Sequence, residues 1–236
     1  MNGKKIAIMQ PYFMPYIGYF QLINAVDEFV FLDDVNFINR GWINRNRILL
    51  NGRDFLFTIP CKKVSQNKLI NEVEVGEVDL FYEKFKQTLQ MAYNKSPYFE
   101  QVNELLDNIF SCNSEFISDF AINSIECTLE YLKIKKTLKI SSKDFKNNGF
   151  KGFEKLTDIC KQADIFNYIN PSGGTELYNK VQFAEKGISL FFLMPEEVKY
   201  SQFKKEFIPW LSIIDVLMFN SPEKIKSDFL NNYRIE

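Results

Sequence analysis

The sequence runs to 236 residues, enough for one large α/β domain or one domain with a smaller appendage. Hydrophobic residues at 46% and charged residues at 25% describe a globular chain, and 29 Lys+Arg against 30 Asp+Glu leave a net charge of -1, so no global field draws a polyanion. Histidine is absent, which excludes Ser-His-Asp and Cys-His hydrolases and His-ligated zinc or iron, and leaves a carboxylate, Lys, Tyr or a thiolate for any general base.

Lys5 to Met9 reads as a short buried strand ending at Gln10-Pro11. Ile17 to Val26 is apolar at helical spacing, and Glu28 to Leu32 is a second apolar strand stopped by Asp33-Asp34. Residues 36–53 are polar and rich in Asn and Arg, a functional loop with a short extended piece at Ile48 to Leu50. Phe55 to Ile59 is expected to be a third strand of the same sheet. Three helices follow. The first, over 79–93, aligns Phe81, Phe85, Leu89 and Ala92. The second starts at Ser96-Pro97, an N-cap with proline in the first turn, and the third runs from Ser114 to Leu132. From Thr137 the alternation returns, with strands to Ile140, over 165–169 and from Ile188 to Leu193. Helices are expected over 152–163 and from the Pro171–Gly174 turn to Lys186, and the end of the chain is expected to be helical, with Ser221-Pro222 repeating the cap-plus-proline start. This pattern predicts a Rossmann-like α/β fold, a mostly parallel doubly wound sheet, in one domain over 1–236 with a helical insertion at about 79–132.

The N-terminus has no long apolar core and no apolar run reaches membrane length, so the expected location is cytoplasmic, without a membrane partner. Cys61, Cys112, Cys127 and Cys160 are far apart and lack CxxC spacing, which speaks against a disulfide framework or a thiolate metal site. Cys112 and Cys127 read as small core residues. Cys61 precedes Lys62-Lys63, cations that could lower its pKa. One short basic cluster is too little for nucleic acid.

Four constellations could carry chemistry. The Met9–Phe20 stretch sets two prolines and several aromatics between the first strand and first helix, the ligand edge of an open parallel sheet. Gln10, Tyr12, Tyr16 and Gly18 are its candidate binding residues, with Gly18 leaving room at a helix N-terminus. The chain holds five arginines against 24 lysines, yet Arg40, Arg45, Arg47 and Arg53 fall within fourteen residues. A Lys-preferring composition that keeps Arg here points to forked recognition of phosphate or carboxylate, and Asn44 offers a neighbouring amide. Asp33 and Asp34 end the second strand beside that loop and are the candidate catalytic bases. Ser172, Gly173 and Gly174 form a small-residue turn that resembles an anion nest.

The run IAIMQPYFMPYIGYFQLINAVDEFVFLDDVNFINRGWINRNRILLNG resembles the opening of the WbqC-like protein family. PSGGTELY and YSQFKKEFIPWLSIIDVLMFN resemble its closing motifs. The resemblance implies a place among enzymes of bacterial surface-polysaccharide (O-antigen) and nucleotide-sugar assembly, with acyl or aminoacyl transfer to a sugar amine. A fainter resemblance sets Tyr16-Ile17-Gly18-Tyr19 where HxGH nucleotidyltransferases carry their signature, which implies nucleotide phosphates near Gly18, but with both histidines replaced by tyrosine.

The expected function is therefore a transferase acting on a nucleotide-linked amino sugar, with a thioester donor on coenzyme A or a carrier protein. No cofactor and no metal are expected. The alternatives are a nucleotidyltransferase-like enzyme using a nucleoside triphosphate and Mg²⁺, and a non-catalytic nucleotide-sugar-binding protein of an assembly complex. Aminolysis of a thioester needs positioning and one base, and no histidine.

Overall fold

The computed structural model describes residues 3–203 and 206–236. Its first unit is β1 (Lys5–Met9), α1 (Ile17–Ala25) and β2 (Glu28–Phe31), with β1 and β2 parallel from Ile6↔Glu28 to Met9↔Phe31. An antiparallel hairpin follows, β3 (Arg45–Leu50) and β4 (Arg53–Thr58). Next come α2 (Val78–Tyr93), α3 (Phe99–Phe110) and α4 (Ile117–Tyr131). The chain then rejoins the sheet through β5 (Thr137–Ile140), α5 (Ser141–Asp144), α6 (Gly152–Gln162), β6 (Asn167–Pro171), α7 (Lys180–Glu185) and β7 (Ser189–Pro195). It closes with α8 (Ile213–Phe219), α9 (Pro222–Lys224) and β8 (Tyr233–Ile235).

The six-stranded sheet has the order β5-β2-β1-β6-β7-β8. All its pairings are parallel except that of β7 with β8. In chain order, leaving out the hairpin, this is the 3-2-1-4-5-6 sequence of a Rossmann-like fold, and the strand order reverses between β1 and β6. The expected mostly parallel α/β architecture is the one observed.

Two cores cover the two faces. On one, α1, α8, the hairpin and the α2–α4 insertion share a large cluster. Phe13 stacks on Phe120 at 5.0 Å and meets Phe110 edge-on at 5.7 Å, so the loop after β1 is anchored in the insertion. On the other face, Ile6, Ile8, Val30 and Tyr168 pack with α6 and α7 through Leu156, Ile159 and Phe183.

Several expectations are corrected. Phe55–Ile59 does not join the main sheet; among the described residues β4 pairs only with β3, across Asn51-Gly52. Both turn residues have positive φ, +54° and +75°, the type I′ geometry that closes a two-residue hairpin. Ser96 does not cap α3, which begins at Phe99, and its hydroxyl instead meets the Met218 sulfur. Cys112 lies beyond the end of α3 and is exposed, not core. Ser221 does cap α9, accepting from the Lys224 N–H at 3.2 Å with Pro222 in the first turn. Among the described residues no helix is long and apolar enough to cross a membrane.

Candidate functional site

The loop after β1 leaves the sheet at its carboxyl edge, beside the strand-order reversal. The Tyr19 hydroxyl donates to the Gln10 carbonyl at 2.8 Å and fixes the loop's start. Ser212 fixes its end, with its hydroxyl donating to the Met14 carbonyl at 2.6 Å. The Ile213 N–H reaches the Pro15 carbonyl, and the Ser212 N–H reaches the Arg47 carbonyl, each at 2.8 Å. Three remote pieces of chain are thereby held together: residues 12–16, β3 and the segment before α8.

Between them lies a cavity of about 200 Å³ lined by Tyr12, Pro15, Tyr16, Trp42, Asn46, Arg47 and Trp210. The sequence contains two tryptophans, and both stand here, 41% and 49% exposed. Trp210 sits at φ +61°, a backbone region that bulky side chains rarely occupy, with its ring 5.9 Å from that of Tyr16. The guanidinium groups of Arg45 and Arg47 lie 5.6 and 5.3 Å from the Trp42 ring centre. Arg45 spends its Nε on the Gly41 carbonyl at 2.8 Å. Arg47 meets Asp54 through Nη1 at 3.2 Å, while its buried Nε has no partner among the described residues. Arg47 is one of the residues that line the cavity.

Burial raises the Tyr12 hydroxyl to about 12, with Tyr16 adding to the shift, and burial raises Tyr16 as well. Both phenols are neutral donors at physiological pH. The space beside Gly18 is filled from within: a Cβ there would lie 2.3 Å from Tyr16 Cε2. Gly18 thus makes room for the Tyr16 ring, which covers the position where nucleotide phosphates were expected.

The remaining expected residues divide. Arg40 is exposed on a turn at φ +59° and is not among the cavity's lining residues. Asn44 is a strut, its amide donating to the Ile59 carbonyl at 2.9 Å and the Cys61 sulfur at 3.6 Å. Burial pushes the Cys61 thiol up to about 11, opposite to the effect expected from Lys62-Lys63, so it is not a thiolate. Ser172, Gly173 and Gly174 form a 3₁₀ turn whose Ser172 carbonyl accepts from Thr175. A Cβ on Gly174 would stand 2.3 Å from Asn170 Nδ2, so this glycine admits the Asn170 amide.

The two aspartates differ sharply. Asp33 is buried and both its oxygens are occupied, Oδ1 by the Ser142 N–H at 3.0 Å and Oδ2 by the Ser142 hydroxyl and the Asn71 amide. Burial raises its pKa, partly offset by the bonds from Ser142. It ties the end of β2 to α5. Asp34 forms a 2.6 Å ion pair with Lys155 of α6, their side chains 6% and 3% exposed. Its other oxygen, Oδ1, is buried and has no hydrogen-bond partner among the described residues.

A family model described as the WbqC-like protein family matches residues 10–227. The chain belongs to the WbqC-like protein family. The match spans both the loop after β1 and the Trp210 segment that close the cavity, so these walls are part of what the family model covers. A relative from Mycobacterium tuberculosis (strain ATCC 25618 / H37Rv), "Uncharacterized protein Rv1507c", is 29% identical over 223 residues, covering 92% of this WbqC-like chain and 94% of its own. No solved structure matches.

Trp42, Trp210, Lys155 and the Asn170 amide went unrecognised in the sequence. Trp42 stood inside the arginine loop, and the scarcity of tryptophan was the signal available. Nothing local marked Lys155, since its partner lies 121 residues away.

Proposed function

We propose that this WbqC-like protein is a transferase that binds a nucleotide-linked amino sugar and acylates its amine from a thioester donor. The observation that carries the reading is the cavity holding both tryptophans against Arg47, whose buried Nε has no partner among the described residues. Aromatic faces stack on a nucleobase or on the C–H face of a sugar, and a guanidinium fork suits a pyrophosphate. The cavity lies at the carboxyl edge of a Rossmann-like sheet near its switch point, where such folds bind nucleotides. The resemblance to surface-polysaccharide proteins selects a sugar nucleotide over other anions.

In the reaction the amine nitrogen attacks the thioester carbonyl, the C–N bond forms and the C–S bond breaks. The proton lost by nitrogen passes to a carboxylate and then to the departing thiolate. Asp34 is the base in this reading, because Asp33 has both oxygens engaged.

The test is a thermal-shift series with UDP-sugars, UDP-amino sugars and nucleoside triphosphates with Mg²⁺, followed by mass spectrometry of mixtures containing acetyl-coenzyme A. The proposal expects sugar nucleotides to stabilise the fold most and the amino sugar to gain an acyl group. Stabilisation by triphosphate with Mg²⁺ alone would favour a nucleotidyltransferase. Stabilisation by sugar nucleotide without acylation would leave a binding protein.

A further inference from the structure

Trp210 stands in irregular backbone between Ile208 and Ser212, at a positive φ that a bulky residue adopts only when its surroundings impose it. On its C-terminal side the hold comes from Ser212, bonded to the carbonyls of Met14 and Arg47. On its N-terminal side a side-chain amide takes that part. Gln202 accepts from the Ile208 N–H at 2.8 Å and donates to the Ile208 carbonyl at 3.1 Å, so one residue clips both backbone groups, as a neighbouring strand would.

Gln202 is itself held. It is buried, and its Nε2 also donates to Asp215 Oδ1 at 2.7 Å. Asp215, fully buried in α8, accepts the Tyr200 hydroxyl on the same oxygen at 2.6 Å and the Tyr93 hydroxyl on the other at 2.7 Å. The Tyr93 hydroxyl in turn accepts from the Leu49 N–H at 2.7 Å. Leu49 is two residues along β3 from Arg47, so a buried chain of hydrogen bonds joins the wall that carries Trp210 to the strand that carries the arginine. An ionised carboxylate only accepts, and Asp215 therefore turns the Gln202 amide so that its nitrogen faces Asp215 and its oxygen faces the Ile208 N–H.

We infer that Gln202 is a positioning residue of the binding site: it acts through Ile208 to hold the Trp210 ring as a wall of the cavity, with Asp215 fixing the amide that does so. The inference rests on the cavity as the binding site and not on what the cavity binds. Trp210 is half exposed, so its ring gains little from burial, while its backbone conformation is costly. Packing alone does not account for holding a tryptophan there; a ring kept ready for a ligand does.

The experiment is time-resolved fluorescence anisotropy on W42F, in which Trp210 is the one remaining tryptophan, with Q202M and Q21M added separately. Methionine keeps the length of the side chain and removes the amide. Gln21 is the matched control, equally buried, with its amide donating to the Phe229 and Asn232 carbonyls of another segment. A purely structural role predicts that both substitutions lower Tm and affect Trp210 alike. The inference predicts that Q202M raises the amplitude of fast Trp210 depolarisation by about twofold or more, on the picosecond to nanosecond scale of a freed side chain, while Q21M leaves it unchanged. With both tryptophans present, Q202M should also raise the Kd for UDP-glucose severalfold well below its Tm, and Q21M should not. An unchanged fast component in Q202M, or an equal rise in Q21M, overturns the inference. If Q202M does not fold, Q202N makes the same comparison, since an amide one methylene shorter does not span Ile208 and Asp215 together. Failure of UDP-glucose to bind the wild type contradicts the sugar-nucleotide reading alone, and the anisotropy comparison still decides this one.

Discussion

Arg47 is the residue most directly placed for a ligand, because it lines the cavity, its ion pair with Asp54 is half exposed, and its inner Nε has no partner among the described residues. An exposed pair of this kind is worth about 0–1 kcal/mol, so Arg47→Lys is expected to leave Tm nearly unchanged. Loss of the planar fork should weaken sugar-nucleotide binding by about tenfold or more, measured by calorimetry, since charge-assisted bonds contribute about 1.5–3 kcal/mol each. Asp34 behaves differently. Asp34→Asn strands the Lys155 ammonium in a buried site, and breaking such a pair costs about 3–5 kcal/mol. Urea denaturation should show that loss in D34N and a substantial recovery in D34N/K155M; equal stability of D34N and wild type contradicts the buried pair. Asp215 carries a pH signature. Burial raises its carboxyl above the ordinary 3.8, and bonds from Tyr200, Tyr93 and Gln202 offset this only in part. A carboxyl with a raised folded-state pKa contributes stability that is complete below its unfolded pKa and is lost as pH climbs through the folded value. The stability of wild type relative to D215N should therefore fall as pH rises from about 4, read from denaturation curves at several pH values. A difference that grows with pH contradicts the assignment.

The hairpin is the element that gives this sheet its site. In β4 only Phe57 is buried, packing at 4.7 Å on Phe85 of α2 and at 6.3 Å on Phe13 of the loop after β1. Phe57→Ala should cost about 3–5 kcal/mol, whereas Leu56→Ala, on the exposed face, should stay within about 0.5 kcal/mol. Similar losses in both would mean that the hairpin is not held by its inner face. Asn51-Gly52 between two apolar runs announced this hairpin, yet βα alternation suggested a place in the main sheet. Periodicity reports that a segment is extended and half-buried; it does not report its partner. The same limit explains Ser96-Pro97, where a sequence suited to a helix start sits in a turn two residues early. It also explains β8, whose short antiparallel pairing at Leu193↔Ile235 depends on where the preceding helices leave the chain.

At the scale of the molecule, the Rossmann-like strand order was legible because each βα unit announces itself locally, and the carboxyl-edge position of Gln10, Tyr12, Asp33 and Asp34 followed from it. The cavity was legible only from one side. Tyr12, Tyr16 and Arg47 were marked by density of rings and arginines, but Trp210 reaches them from 163 residues beyond Arg47, through a backbone bond from Ser212 to Arg47 of β3 that no local pattern encodes. The central claim is that this assembled cavity binds a sugar nucleotide, and the placement of both tryptophans supplies its own reporter. Intrinsic fluorescence titrated with a UDP-sugar should show saturable quenching in wild type. W42F and W210F should each lose a substantial part of that quenching, and R47K should shift the curve to higher ligand concentration by about tenfold, a change of roughly 1.4 kcal/mol in binding free energy. Quenching that is absent in wild type, or unaltered in all three variants, would contradict the account.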